Sequence, residues 1–246
     1  MKHKNYTIRT AASLIILSAL VYFLHWILFR DIHHIFIYLV GDIAFVFIEV
    51  LLVTVIIHQI LNEREKRAIL SKLNMVIGAF FSEVGNKLLD EFVEFDQNAV
   101  ALRKKLLIDA HWKKDTFGQT RQFLTSHEAK IDSRLGDLEA LQDFLVEKRP
   151  FLLRLLENPN LLEHETFTEL LWAVFHLAEE LSHRKEIVNL PESDLKHLAG
   201  DIKRVYTLLI REWLNHMEHL KKDYPYLFSL AIRLNPFNPE ATAVVA

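Results

Sequence analysis

The chain has 246 residues and a formal net charge of -3, with 51% hydrophobic and 25% charged residues. Six glycines and six prolines fall well below the usual shares of about 7% and 5%, which argues against sandwiches, barrels and dinucleotide folds and favours long helices. The absence of cysteine excludes disulfides, thiolate metal sites and cysteine nucleophiles, and the charge balance carries no footprint of a nucleic-acid binder.

Apolar residues are concentrated at the N-terminal end. Residues 11–29 (AASLIILSALVYFLHWILF) hold no formal charge, and about 20 apolar residues rising about 1.5 Å each cross a hydrocarbon core of about 30 Å. The basic start Met1-Lys2-His3-Lys4 also suits a signal peptide, but this run exceeds a usual signal core and a second run follows at once. That second run, residues 34–61, measures about 42 Å as a helix, so it tilts or projects beyond the lipid. Only Arg30-Asp31-Ile32-His33 lies between them, which predicts a helical hairpin with both chain ends on one side. Lys2, Lys4 and Arg9 before the first run, with Arg64, Lys66, Arg67 and Lys72 after the second, place that side in the cytoplasm at the inner or plasma membrane. Tyr22, Trp26, Phe36 and Tyr38 then fall toward the outer interface.

Asp42 and Glu49 are residues that a passive anchor does not need. A carboxylate at the centre of a span costs about 2.5–3.5 kcal/mol and normally faces protein or water. Seven residues apart, the two lie about 20° from one another around the helix. Ser18, Tyr22 and His25 share a face of the first span, which predicts a hydrogen-bonded contact between the spans, with Tyr22 and His25 near Asp42 and Ser13 near Glu49. Gly41 and Ala44 add a small-residue patch for a further helix. These groups either join helices or line a cation or proton path. Two helices per chain cannot enclose a pore and no TVGYG-type filter is present, so a path needs several subunits. His58 projects away from the acidic stripe near the inner interface.

Beyond residue 62 the chain carries 25 positive and 29 negative residues. Residues 62–72 contain no helix breaker, so the second span is expected to continue into the cytoplasm as one helix. Leu73, Val76, Ile77, Phe80, Phe81, Val84, Leu88 and Phe92 follow 3-and-4 spacing. Lysines are too few on this segment to favour a lipid surface over packing against the domain. Gly78 and Gly85 permit close approach or a bend. Further helices are expected over 98–108, from Asp115-Thr116 toward His127, over 131–148, from Pro150 to Asn158-Pro159-Asn160, over 161–184, and from Pro191 to about Tyr224. A proline-punctuated tail with aromatic anchors closes the chain. The expected architecture is an all-α membrane protein, with a two-helix transmembrane hairpin over 1–62 followed by a cytoplasmic helical bundle over 63–246.

Histidine is the one candidate for chemistry in the bundle. Glu180 and His183 form E-x-x-H, sharing a face with His176 and Glu169, while Glu212, His216 and His219 share a face of the last long helix. One-turn spacing of imidazole and carboxylate suits a metal, with Glu180, His183, His216 and His219 as the candidate ligands. The bundle di-iron pattern needs a second E-x-x-H, and the zincin H-E-x-x-H is missing, so surface ion pairs are the favoured reading. No phosphate loop, dinucleotide fingerprint, nucleophile elbow or kinase set occurs, so no catalytic role and no cofactor is expected. The sequence points to a non-catalytic, homo-oligomeric membrane assembly or scaffold in contact with lipid, whose cytoplasmic domain docks a protein partner. A channel lined by Asp42 and Glu49 is the alternative, and a membrane-tethered metal-binding helical protein the second.

Overall fold

The computed structural model describes residues 2–30 and 32–245. Asp31 of the expected turn lies outside the described residues, as do the side chains of Lys2, His3, Lys4, Ile32 and Arg67. Regular structure among the described residues is helical: α1 (Lys2–Phe29), α2 (Ile32–Phe80), α3 (Asn86–Phe95), α4 (Ala99–Leu106), α5 (Lys114–Ser126), α6 (Leu138–Leu156), α7 (Glu165–Ser182), α8 (Glu192–Asp223) and α9 (Pro225–Arg233). A π turn, Phe81–Gly85, precedes α3, and a 3-10 turn, Pro159–Glu163, precedes α7. An isolated bridge pairs Asp96 with Ile131. The chain divides into two compact units, Met1–Glu65 and Lys66–Ala246.

In the first unit α1 ends where the Arg30 N–H donates to the Trp26 carbonyl at 2.9 Å and Arg30 takes φ 51. A left-handed residue ends a helix by turning the chain out of its axis, a role usually given to glycine. Neither helix of this unit has an apolar stripe, because nearly every position is apolar. Among the described side chains from Ala12 to Leu61, His25, Ile35 and Leu39 are half-buried and all others are exposed.

The second unit folds in the opposite manner, by burying one face of each helix. Leu73, Ile77, Phe80, Phe81, Val84, Leu88 and Phe92 are all in its core, so the 3-and-4 pattern of 73–92 is a packing face of the domain. The π turn within this stripe brings Phe80 and Phe81 edge-to-face at 5.4 Å, and a Cβ at Gly85 would lie 2.5 Å from the Phe81 ring. Gly85 is therefore required by close approach. At the centre is α8, which packs on α3, α5, α7, α9 and the π turn, while α6 packs on α7. Its buried side includes Ile202, Val205, Tyr206, Leu209, Trp213, Leu214 and Met217. Glu192 and Asp194 in the first turn of α8 and Lys221 and Lys222 in the last complement its dipole.

Several boundaries differ from expectation. Helix α6 starts at Leu138 rather than 131, because the Asp137 carboxylate accepts the Glu139 and Ala140 N–H groups, each at 3.0 Å. It then runs through Pro150, which sits on the exposed side, so the carbonyl that loses its donor there meets water. The helix expected over 161–184 begins at Glu165, where the His164 ring accepts the Phe167 N–H at 3.3 Å. Helix α5 starts one residue before Asp115, with the Thr116 hydroxyl accepting the Lys113 N–H at 3.4 Å. The tail contains a helix, α9, since Pro225 occupies a first-turn position whose N–H has no helical partner to lose. After α9, Phe237 is fully buried edge-to-face against Trp213 at 5.0 Å, and Asn235 Nδ2 donates to the Leu106 carbonyl at 2.8 Å. Phe237→Ala is expected to cost about 3–5 kcal/mol and lower the melting temperature, whereas Tyr226→Ala, at an exposed ring, is expected to leave it unchanged in the same melt.

Candidate functional site

The polar groups of the first unit stand on its apolar helices, and its two carboxylates are exposed. Asp42 and Glu49 on α2 are both exposed, as are Ser18 and Tyr22 on α1, and His25 is half-buried with its ring 4.7 Å from that of Phe29. Both carboxylates thus remain exposed within the single chain. Gly41 and Ala44 are exposed too, and a Cβ added at Gly41 would meet nothing within 4 Å, leaving room for a helix from elsewhere. His58 is likewise exposed. Within one chain, this unit is an apolar surface with two carboxylates on one line.

In the second unit the four candidate metal ligands have separate partners. His183 Nδ1 lies 2.8 Å from the Glu179 carbonyl, and Glu180 accepts from Arg184 Nη1 at 2.9 Å. His219 Nδ1 is 2.9 Å from Asp223, while the His216 ring stacks on Phe81 at 5.0 Å with 13° between planes. Among the described residues no three histidines and carboxylates are arranged to hold a metal ion. Burial pushes the His216 imidazole down to about 4, with the charge of nearby His219 adding to it.

The polar cluster that does form joins α7 to α8. His176 Nε2 lies 3.9 Å from Glu180 and 3.7 Å from Asp201, and His197 Nε2 lies 3.6 Å from Glu180 and 3.3 Å from Asp201. The Asp201 side chain is 6% exposed. Arg184 closes the cluster with Nη2 and Nε on Asp194 at 2.7 and 2.9 Å, and Arg204 Nη1 lies 3.3 Å from Asp201. With two guanidinium groups already on these carboxylates, the cluster is an inter-helix tie. Hydrogen bonds and the charge of Arg184 hold both Glu180 and Asp194 below the usual carboxylate range. Sequence reasoning paired His176 and Glu180 with His183 and overlooked His197 and Asp201. The signal was there: two His-to-acid pairs at i, i+4 on consecutive long helices.

A comparison with known proteins fits these two units. Residues 2–61 match the family described as MJ1433, N-terminal helical domain, and residues 69–233 match that described as Uncharacterized protein MJ1433, C-terminal helical domain. The chain belongs to the MJ1433 family. Uncharacterized protein MJ1433 of Methanocaldococcus jannaschii is 49% identical over 244 residues, covering 99% of this chain and 98% of that protein. No solved structure matches. The gap between the two MJ1433 matches, from 61 to 69, spans the point where the compact units divide, between Glu65 and Lys66.

Three titratable groups of the C-terminal unit contribute to its acid sensitivity. His216 is neutral in the fold, and the unfolded chain takes up a proton there below about pH 6.5, so its contribution to stability is present above that value and lost as pH falls toward 4. Glu180 and Asp194 lose theirs lower down, below their ordinary values of 4.5 and 3.8. Thermal melts over this range are expected to show His216→Phe flatter than the unaltered chain above about pH 4, and Arg184→Gln flatter below it.

Proposed function

We propose that the chain is an integral membrane protein whose residues 12–61 are solvated by lipid as two spans, and whose Asp42 and Glu49 stripe is covered by further copies of the same chain. The carrying observation is that nearly all described large apolar side chains from Leu14 to Leu61 are exposed, with two exposed carboxylates among them. Soluble monomers seldom expose an apolar patch beyond about 300–600 Å2, so water is a poor solvent for this unit. Two helices here, Ala12–Phe29 and a longer one beginning at Ile35, are long and apolar enough to cross a bilayer. Lipid in turn is a poor solvent for ionised or hydrogen-bonding carboxyls, and both stay exposed in the single chain, so a neighbouring subunit is the natural cover. The open ground beside Gly41 and Ala44 admits its helix. Basic residues before and after the spans put both chain ends and the helical unit in the cytoplasm. The role that follows is a non-catalytic homo-oligomeric scaffold that presents helical domains to a cytoplasmic protein partner.

Mass measurement of the full chain in neutral detergent tests this reading. An oligomer is expected, and Asp42→Ala with Glu49→Ala is expected to weaken its assembly at least about tenfold, as loss of buried polar contacts in lipid implies. A monomeric unaltered chain overturns the proposal. A cation or proton leak in liposomes that disappears in Asp42→Asn with Glu49→Gln replaces the scaffold with a conducting path.

A further inference from the structure

Two cavities of unlike chemistry lie side by side along the last turns of α8. The first, of about 780 Å3, is a cleft lined by Trp112, Lys113, Lys114, Phe117, Lys221 and Lys222. Lys221 is engaged: its Nζ donates to the Ala110 carbonyl at 2.6 Å and lies 5.3 Å from the Phe228 ring centre. Lys113, Lys114 and Lys222 are exposed and enter no ion pair among the described residues. The acids on the cleft wall are already taken, Glu218 by Arg121 and Asp223 by His219 at 2.9 Å. Three free ammonium groups therefore border one cleft, beside the edge-to-face rings of Trp112 and Phe117 at 5.1 Å.

The second cavity, of about 520 Å3, is a groove lined chiefly by Met75, Phe81, Leu220, Leu227, Leu230 and Leu234. Met75 is 65% exposed, and the three leucines from Leu227 to Leu234 are also exposed. His216 lines this groove, stacked on Phe81 and uncharged, so it adds no fixed charge there. His219 lines both cavities. The α8 residues that face them are centred about 100° apart around the helix, so a chain leaving the groove meets the cleft within one turn.

We propose that the two cavities together bind one anionic amphiphile, its alkyl or isoprenoid chain in the groove and its phosphate or carboxylate head among Lys113, Lys114 and Lys222. Both volumes fall in the about 300–1,000 Å3 range of small-molecule sites, in which apolar walls supply affinity and a few charged groups fix orientation. Charge complementarity selects an anion over a zwitterion. An acidic peptide or a free phosphate uses the cleft and leaves the groove idle. Both cavities lie within residues 66–246, so this inference and the membrane proposal fail separately.

The full-length protein in neutral maltoside detergent is titrated with dioleoyl phosphatidic acid, dioleoyl phosphatidylcholine and inorganic phosphate, with bound lipid read by native mass spectrometry. One phosphatidic acid per chain is expected, held at least about tenfold more tightly than phosphatidylcholine. Lys113→Ser with Lys114→Ser and Lys222→Ser is expected to reduce that binding at least about tenfold, and Leu230→Glu to reduce it independently, each with an unaltered circular dichroism spectrum. Lys196→Ser, at an exposed lysine elsewhere on α8, is expected to leave it unchanged. Equal affinity for phosphatidylcholine, full displacement by inorganic phosphate, or retention of binding in either folded variant overturns the proposal. If the triple variant fails to fold, Lys222→Ser alone and Leu230→Glu decide it by the same readout.

Discussion

The constraint on which the whole molecule depends is where its apolar side chains find a partner. From Leu73 onward they find one another: Phe80, Phe92, Trp213 and Tyr206 are enclosed around α8. From Leu14 to Leu61, among the described side chains, Ile35 and Leu39 are half-buried and the other large apolar ones stay exposed. Burial is favourable by about 25 cal/mol for each Å2 of apolar surface removed from water, so a surface of this extent needs a solvent or partner outside the chain. The membrane proposal is the consequence of that imbalance, and the subunit cover proposed for Asp42 and Glu49 is the consequence of the first consequence.

Much of the fold was legible because helical burial leaves a period in the sequence. The stripe from Leu73 to Phe92 could be read as a packing face, and Pro191 with Glu192 and Asp194 marked the start of α8. Features decided by a single local contact were less legible. Asp137, not Ile131, caps α6, and both residues stand in a segment with similar composition. Pro150 was read as the start of a new helix, yet it sits on the wet face of one continuous α6, and the tail after Tyr224 begins a further helix at Pro225, where the missing N–H costs little.

The candidate sites divide in the same way. One-dimensional spacing picked out Asp42 and Glu49, because a charge within an apolar run is conspicuous without any tertiary information. It could not choose the partner, and both carboxylates stay exposed within the single chain. For the histidines, spacing along a single helix suggested Glu180 with His183 and His216 with His219, whereas the fold assembles His176, Glu180, His197 and Asp201 across two helices. The cleft and groove on α8 were illegible for the same reason. Lys113 and Lys114 are separated by about a hundred residues of sequence from Lys222, and they come together through the packing of α5 on α8.

The most direct test of the account is the solvent of residues 12–61, and the cysteine-free chain is a ready background for it. Single substitutions Leu20→Cys, Ile48→Cys and Lys196→Cys would be probed in native membranes with a water-soluble maleimide, before and after detergent. The account predicts that the first two positions react only once detergent is added, while the third reacts whenever the cytoplasmic face is open to the reagent. Rapid labelling at Leu20→Cys and Ile48→Cys in a chain recovered from the aqueous fraction would contradict it.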